Sequence, residues 1–186
     1  MVERARGVVG ILALVGPRCA GKSSVGRALA RAAQVAWLDS DLEIAREAGE
    51  QTAKDVIDRL GLARFRKLEE RALARLLKSK DPRVLSTGGG AVESNATRKL
   101  LRERSFCVWL DAQPDVLAAR MRADPTPRPA LLGTTAMEEI APLRAARQAL
   151  YQECAHAHIA TDDLDVEQVV QRVLRASQGR WLSDHP

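Results

Sequence analysis

No apolar run in this 186-residue chain approaches the roughly 20 residues that a membrane-spanning helix needs. The stretch GVVGILALVG is too short, and no small-residue cleavage site follows it, so neither a span nor a secretory leader is expected. Aromatic residues are scarce, at three Trp, one Tyr and two Phe, and they do not interleave with the basic residues. That pattern excludes a base-stacking platform and speaks against nucleic acid as a partner. The three cysteines, Cys19, Cys107 and Cys154, are far apart and odd in number, which argues against both a disulfide framework and a zinc site. The short HAH at His156 and His158 lacks a third ligand at useful spacing and reads as polar residues beside a strand. A guanine-reading N/T-K-x-D motif is absent too, and no segment repeats. The expectation is a soluble, cytoplasmic, monomeric protein.

What is present is one domain's worth of chain with ordinary apolar content, 46%, and a net charge of +5 carried mostly by arginine. Such a balance suits anionic ligands. Short apolar runs alternate with helical spacing from end to end. Strands are predicted at 8–15, 35–38, 84–86, 106–110 and 157–160. Helices are predicted at 22–33, 42–48, 52–79 with a break near Gly61, 95–103, from Pro114 onward, 138–154 and 166–176. This alternation predicts an α/β fold with a parallel sheet covered on both faces, its core spanning about 8–176 between loose tails. Ligands of such sheets sit beyond the carboxyl ends of the strands. The polar groups there are Gly16 to Ser23, Asp39 to Asp41, Gly88 to Gly90, and Asp111, which could be only a helix cap.

The first of these groups, GPRCAGKSSVG, matches G-x-x-x-x-G-K-[ST] between a predicted strand and a predicted helix. Backbone amides of such a loop face phosphates, Lys22 reaches the transferring group, and Ser23 can ligate Mg²⁺. The nucleotide-binding set is therefore Gly16, Cys19, Ala20, Gly21, Lys22, Ser23 and Ser24, with a nucleoside triphosphate and Mg²⁺ as its ligands. Loops of this kind often carry glycine where Cys19 stands; a positive φ there implies strain.

The second strand runs into WLDSD, where Asp39 and Asp41 can serve Mg²⁺ and an acceptor hydroxyl, or where Ser40 and Asp41 supply only a helix N-cap and its first-turn acid. In FRKLEE, Glu69 lies three residues after Arg66, either as a surface pair or as a brace for a guanidinium that grips a carboxylate. The run STGGG closes the third strand with Gly88, Gly89 and Gly90, which lets backbone approach a small ligand. From 124 to 134, three prolines and one glycine preclude regular structure, and Arg128 stands between two of those prolines.

Taken in order, GPRCAGKSSVGRALA, WLDSD, FRKLEE, LSTGGGAV, RPALL and RQALY resemble shikimate kinase, over about residues 10–175. The resemblance implies a three-layer αβα P-loop kinase fold with a five-stranded parallel sheet and a mobile lid at 124–134, forming a single domain. It also implies Mg-ATP-dependent phosphorylation of the 3-hydroxyl of shikimate. By motif, Asp41, Arg66, Gly88, Gly89, Gly90 and Arg147 would hold shikimate, with Asp41 on the reacting hydroxyl. Lys22, Asp41 and Arg128, the last from the lid, would act in catalysis, while Ser23 and Asp39 would hold the metal. For Arg120, shortly before the lid, adenine stacking and plain helix surface stand as alternatives.

Two rival readings use the same fold. Gluconate kinase would be expected to lack the FRxxE and triple-glycine pair. A non-catalytic regulatory relative would be attached to a DNA-binding module, for which this chain has no room; the retained Lys22, Asp39, Asp41 and Arg128 also argue against it.

Overall fold

The computed structural model describes residues 10–124 and 129–182. Five strands, β1 (Ile11–Val15), β2 (Ala36–Asp39), β3 (Arg83–Ser86), β4 (Phe106–Asp111) and β5 (Ala157–Ala160), form one sheet in the order β2-β3-β1-β4-β5. All four pairings are parallel, as the alternation of strands with helices requires. The helices are α1 (Lys22–Ala32), α2 (Ser40–Glu47), α3 (Ala53–Leu60), α4 (Leu62–Leu76), α5 (Asn95–Arg104), α6 (Pro114–Ala123), α7 (Ile140–Cys154) and α8 (Val166–Ser177).

Burial explains why β1 reads as an unbroken apolar run. Leu12 and Leu14 point into the cluster that α1, α6 and α8 complete, whereas Ile11, Ala13 and Val15 point into the one beneath α4, α5 and α7. A third, smaller cluster around Ile44, Val56 and Phe65 joins α2 and α3 to α4. The helix starts are coded locally. Thr52 with Asp55 and Asp165 with Gln168 form capping boxes, Ser94 caps α5, and Pro114 opens α6. Gly61, at φ 80°, is the break between α3 and α4.

Several expectations need correction. The end of the chain is no loose tail as far as Leu182. Trp181 is buried and its indole donates to the Gly10 carbonyl at 3.2 Å, because the turn after α8 folds back over the start of β1. Asp111 caps no helix. It ends β4 and takes a two-pronged ion pair from Arg144 of α7, at 2.9 and 2.7 Å. A 3₁₀ turn at Ala91–Glu93, which no periodicity announced, follows the triple glycine. The second strand begins and ends one residue later than predicted, so Asp39 belongs to it. Residues 8 and 9 of the first predicted strand, the basic start of the chain and Arg128 lie outside the described residues.

His156 and His158 serve the sheet edge. His156 accepts the Cys107 amide through Nδ1, at 3.0 Å, and His158 stacks on Trp109 with ring centroids 4.0 Å apart. Among the described residues no cluster of metal-ligating side chains forms, and no helix is long and apolar enough to cross a membrane.

Candidate active site

The carboxyl ends of β1, β2 and β3 bring three of the four polar groups to one edge of the sheet. Gly16 leaves β1 at φ 144° so close to the Leu110 carbonyl that a Cβ would overlap it. The loop then turns through Cys19, at φ 63°, and Gly21, at φ 94°, into α1. Cys19 thus holds a left-handed conformation, a strain on the order of 1–3 kcal/mol that glycine would not carry. No side chain caps α1, so its first amides are left to face an anion.

Lys22 is buried, and its Nζ donates to the carbonyls of Gly16 and Pro17 at 2.8 and 2.7 Å, which folds the side chain back over its own loop. Burial lowers its pKa to about 8, with Asp41 and Asp39 opposing the shift, so it remains a cation at neutral pH. Ser23 and Asp39 meet, the Ser23 hydroxyl donating to Asp39 Oδ2 at 2.8 Å. Asp39 Oδ1 accepts the Asp41 amide at 3.0 Å, so Asp39 is both strand end and helix cap. The cap is therefore Asp39, one residue before the expected Ser40, which is instead the first residue of α2.

Asp41 faces the other way, into a cavity of about 150 Å³ lined also by Arg18, Phe65, Arg66, Glu69 and Arg147, with Gly88 to Gly90 as its floor. Its Oδ1 is buried without a hydrogen-bond partner among the described residues, and so is Glu69 Oε1. Burial raises the Asp41 pKa to about 7, and the neighbouring Glu69 and Asp39 carboxylates push the same way. A Cβ on Gly88 would stand 2.6 Å from both unpartnered oxygens, which is why the floor has no side chain there. Glu69 is buried, not on the surface, and braces Arg66 through Nη1 at 2.7 Å.

Gly90 lies against the Arg66 guanidinium, and a Cβ there would overlap it. Because the end of a long side chain moves more easily than backbone, Gly90→Ala is expected to fold nearly as well as the parent. It should weaken binding of a carboxylate ligand by about tenfold through displacement of one charge-assisted partner. Thermal unfolding paired with ligand calorimetry tests this; a large drop in Tm with unchanged affinity would contradict it.

Several further residues contribute to the site. Glu93, brought back by the 3₁₀ turn, contacts both Arg66 and Arg147. Tyr151 donates to the Gly89 carbonyl at 2.6 Å; it closes RQALY one helical turn after Arg147, a spacing that could have flagged it. Arg18 donates to the Pro129 carbonyl at 3.2 Å, and buried Glu139 accepts the amides of Leu131 and Leu132 at 2.5–2.8 Å. Together they tether the described end of the proline-rich segment to the phosphate loop and α7. Burial pushes the Glu139 carboxyl up, but those amide bonds outweigh it and hold its pKa below the ordinary value. Arg120 extends from α6 to the hydroxyl and carbonyl of Thr161, at 2.9 and 2.5 Å, rather than into the cavity. Ala20 is buried in the core below the loop, and Ser24 is exposed in the first turn of α1.

A family model described as shikimate kinase matches residues 18–178. A shikimate kinase of Cereibacter sphaeroides is 42% identical over 163 residues, covering 88% of this chain and 80% of its own length. The structure of a shikimate kinase from Acinetobacter baumannii in complex with shikimate superposes with a TM-score of 0.82 at 33% identity, over 91% of this chain and 93% of that one. A gluconokinase from Sinorhizobium meliloti, at 19% identity and a TM-score of 0.55 over 94% of this chain and 93% of its own, shares the fold alone.

Proposed function

The chain belongs to the shikimate kinase family, and from that premise we propose which of its residues carry the transfer of a phosphoryl group from ATP to the 3-hydroxyl of shikimate. The observation that carries the reading is the pair of guanidiniums, Arg66 and Arg147, on the wall of a small cavity that also contains the unpartnered oxygen of Asp41. A small hydroxy acid needs a cationic fork for its carboxylate and an acceptor for its hydroxyl proton. Arg66 and Arg147 supply the first, Asp41 the second, and Gly88 to Gly90 let the ring approach the backbone.

ATP is the phosphoryl donor of this family, and the loop from Gly16 to Ser24 cradles its phosphates. Lys22 leaves the Gly16 and Pro17 carbonyls to pair with the transferring group. The hydroxyl and carboxylate of Ser23 and Asp39, 2.8 Å apart, fit Mg²⁺ as donors of the required hard-oxygen type. Bound there, the ion would offset charge building on the phosphates. Asp41, poised near neutrality, takes the proton of the attacking hydroxyl. Arg128 is assigned to the phosphoryl group on the sequence argument alone, and Arg120 is kept as an adenine contact that would first release Thr161. Function as a monomer in the cytoplasm completes the reading.

A coupled ADP-release assay should show turnover with shikimate and background rates with gluconate or no acceptor. Replacing Arg66 or Arg147 by Lys should weaken shikimate binding by about tenfold or more, because an ammonium cannot reproduce the planar fork, while ATP affinity changes little. Calorimetry showing unaltered shikimate affinity in both variants would overturn the assignment.

A further inference from the structure

The two guanidiniums that face the cavity share a single carboxylate behind them. Glu93 Oε1 accepts from Arg147 Nε at 2.9 Å and from Arg147 Nη2 at 2.5 Å. Its other oxygen, Oε2, stands 3.1 Å from Arg66 Nε. Glu93 itself does not line the cavity, and its side chain is 41% exposed, so it holds the arginines from outside. The contacts use up specific edges of each fork. Arg147 has Nε and Nη2 occupied, leaving Nη1, which faces Gly89. Arg66 gives Nη1 to Glu69, and its Nε stands within ion-pair distance of Glu93 without a hydrogen bond, leaving Nη2, which lies against Gly90. One N–H group from each arginine is thereby left at adjacent glycines of the cavity floor.

The backbone under Glu93 is fixed independently of the arginines. Its amide donates to the Gly90 carbonyl at 2.9 Å in the 3₁₀ turn, while the Arg98 guanidinium donates to the carbonyls of Val92 and Glu93 at 2.8 and 3.2 Å. A carboxylate on so firm a base can order two long side chains that would otherwise sample many rotamers.

We propose that Glu93 is a positioning residue for the acceptor: it aligns Arg66 and Arg147 so that one donor from each converges on the acceptor's carboxylate. This rests on the assignment of those arginines to that carboxylate. The opposite role, an internal carboxylate competing for the same donors, is disfavoured by the geometry, because Glu93 takes the edges that turn away from the cavity floor. Ordering a rotamer-rich side chain at the moment of binding subtracts from affinity. Two arginines left to be ordered by the ligand therefore weaken binding by about tenfold.

The test uses the full chain and calorimetry with shikimate, its methyl ester and ATP. Glu93→Ala is expected to weaken shikimate binding about tenfold, and Glu93→Gln, which keeps shape and an acceptor oxygen, about threefold. ATP affinity and kcat at saturation should stay within about twofold of the parent. The methyl ester, lacking the anion, should bind parent and Glu93→Ala equally, a result that general loosening of the site would not give. Unchanged or tighter shikimate binding in both Glu93 variants overturns the proposal, as does a parallel loss for the ester. If Arg66→Lys and Arg147→Lys weaken shikimate while the Glu93 variants do not, only the role of Glu93 falls. If the arginine variants too are without effect, the acceptor-site assignment falls with it.

Discussion

Lys22→Ala is expected to lower kcat at least ~10³-fold while leaving the fold intact, in line with the loss of a preorganised charge donor at a transferring phosphoryl group. Lys22 begins α1 at the mouth of the loop, and its ammonium donates to the carbonyls of Gly16 and Pro17. Phosphate oxygens carry more charge than those carbonyls, so the ammonium transfers to them at little structural cost. Burial has already stripped it of water, which strengthens the pairing that replaces those contacts. The measurement is steady-state ADP release with both substrates saturating, alongside thermal unfolding. Turnover within tenfold of the parent by a folded variant would remove Lys22 from the phosphoryl-transfer machinery.

Asp41→Asn should separate activity from stability. On the proposed assignment of Asp41 as proton acceptor for the reacting hydroxyl, kcat should fall by ~10²–10⁴, because the isosteric amide cannot take up that proton. In the nucleotide- and metal-free protein the same substitution should stabilise. The carboxyl has a folded pKa of about 7 against an ordinary 3.8, raised first by burial and then by Glu69 and Asp39. Below pH 3.8 it is protonated folded or unfolded, and burial costs it no charge. Between 3.8 and about 7 the folded protein retains a proton that the unfolded chain releases, so stability falls as pH rises through that window. Above it the penalty is complete, at most roughly 4 kcal/mol. Asp41→Asn should therefore resist urea better than the parent at pH 8, with the advantage vanishing toward pH 4. A stability difference independent of pH would show that Asp41 is not an ionised buried carboxylate above neutrality.

Much of this was readable in the chain because the signals were local. The apolar run of β1, the turn residues after it and the Gly-Lys-Ser step are contiguous. So are WLDSD and STGGG, and a parallel sheet leaves few ways to arrange their ends. FRKLEE was legible as a brace because Arg66 and Glu69 share a helical face. What escaped depends on contacts between distant segments. Asp111 could be read only as a helix cap until Arg144, 33 residues later, was seen across from it. Glu93 has no periodic partner; its role exists only because a 3₁₀ turn reverses the chain after Gly90 and α7 brings Arg147 from 54 residues away. Trp181 lies 171 residues from the carbonyl it meets, beyond any window of pattern reading.

The bond from Trp181 to Gly10 also decides how the molecule can be handled. Both residues sit at the amino ends of the strands, whereas the phosphate loop, Asp41 and the two guanidiniums sit at the carboxyl ends, a full strand length away. A surface anchor or fused partner attached through a flexible linker near either residue therefore presents the cleft outward, away from its support. Splicing those two regions to each other and opening the chain at an exposed connection elsewhere would leave every ligand-facing contact in place.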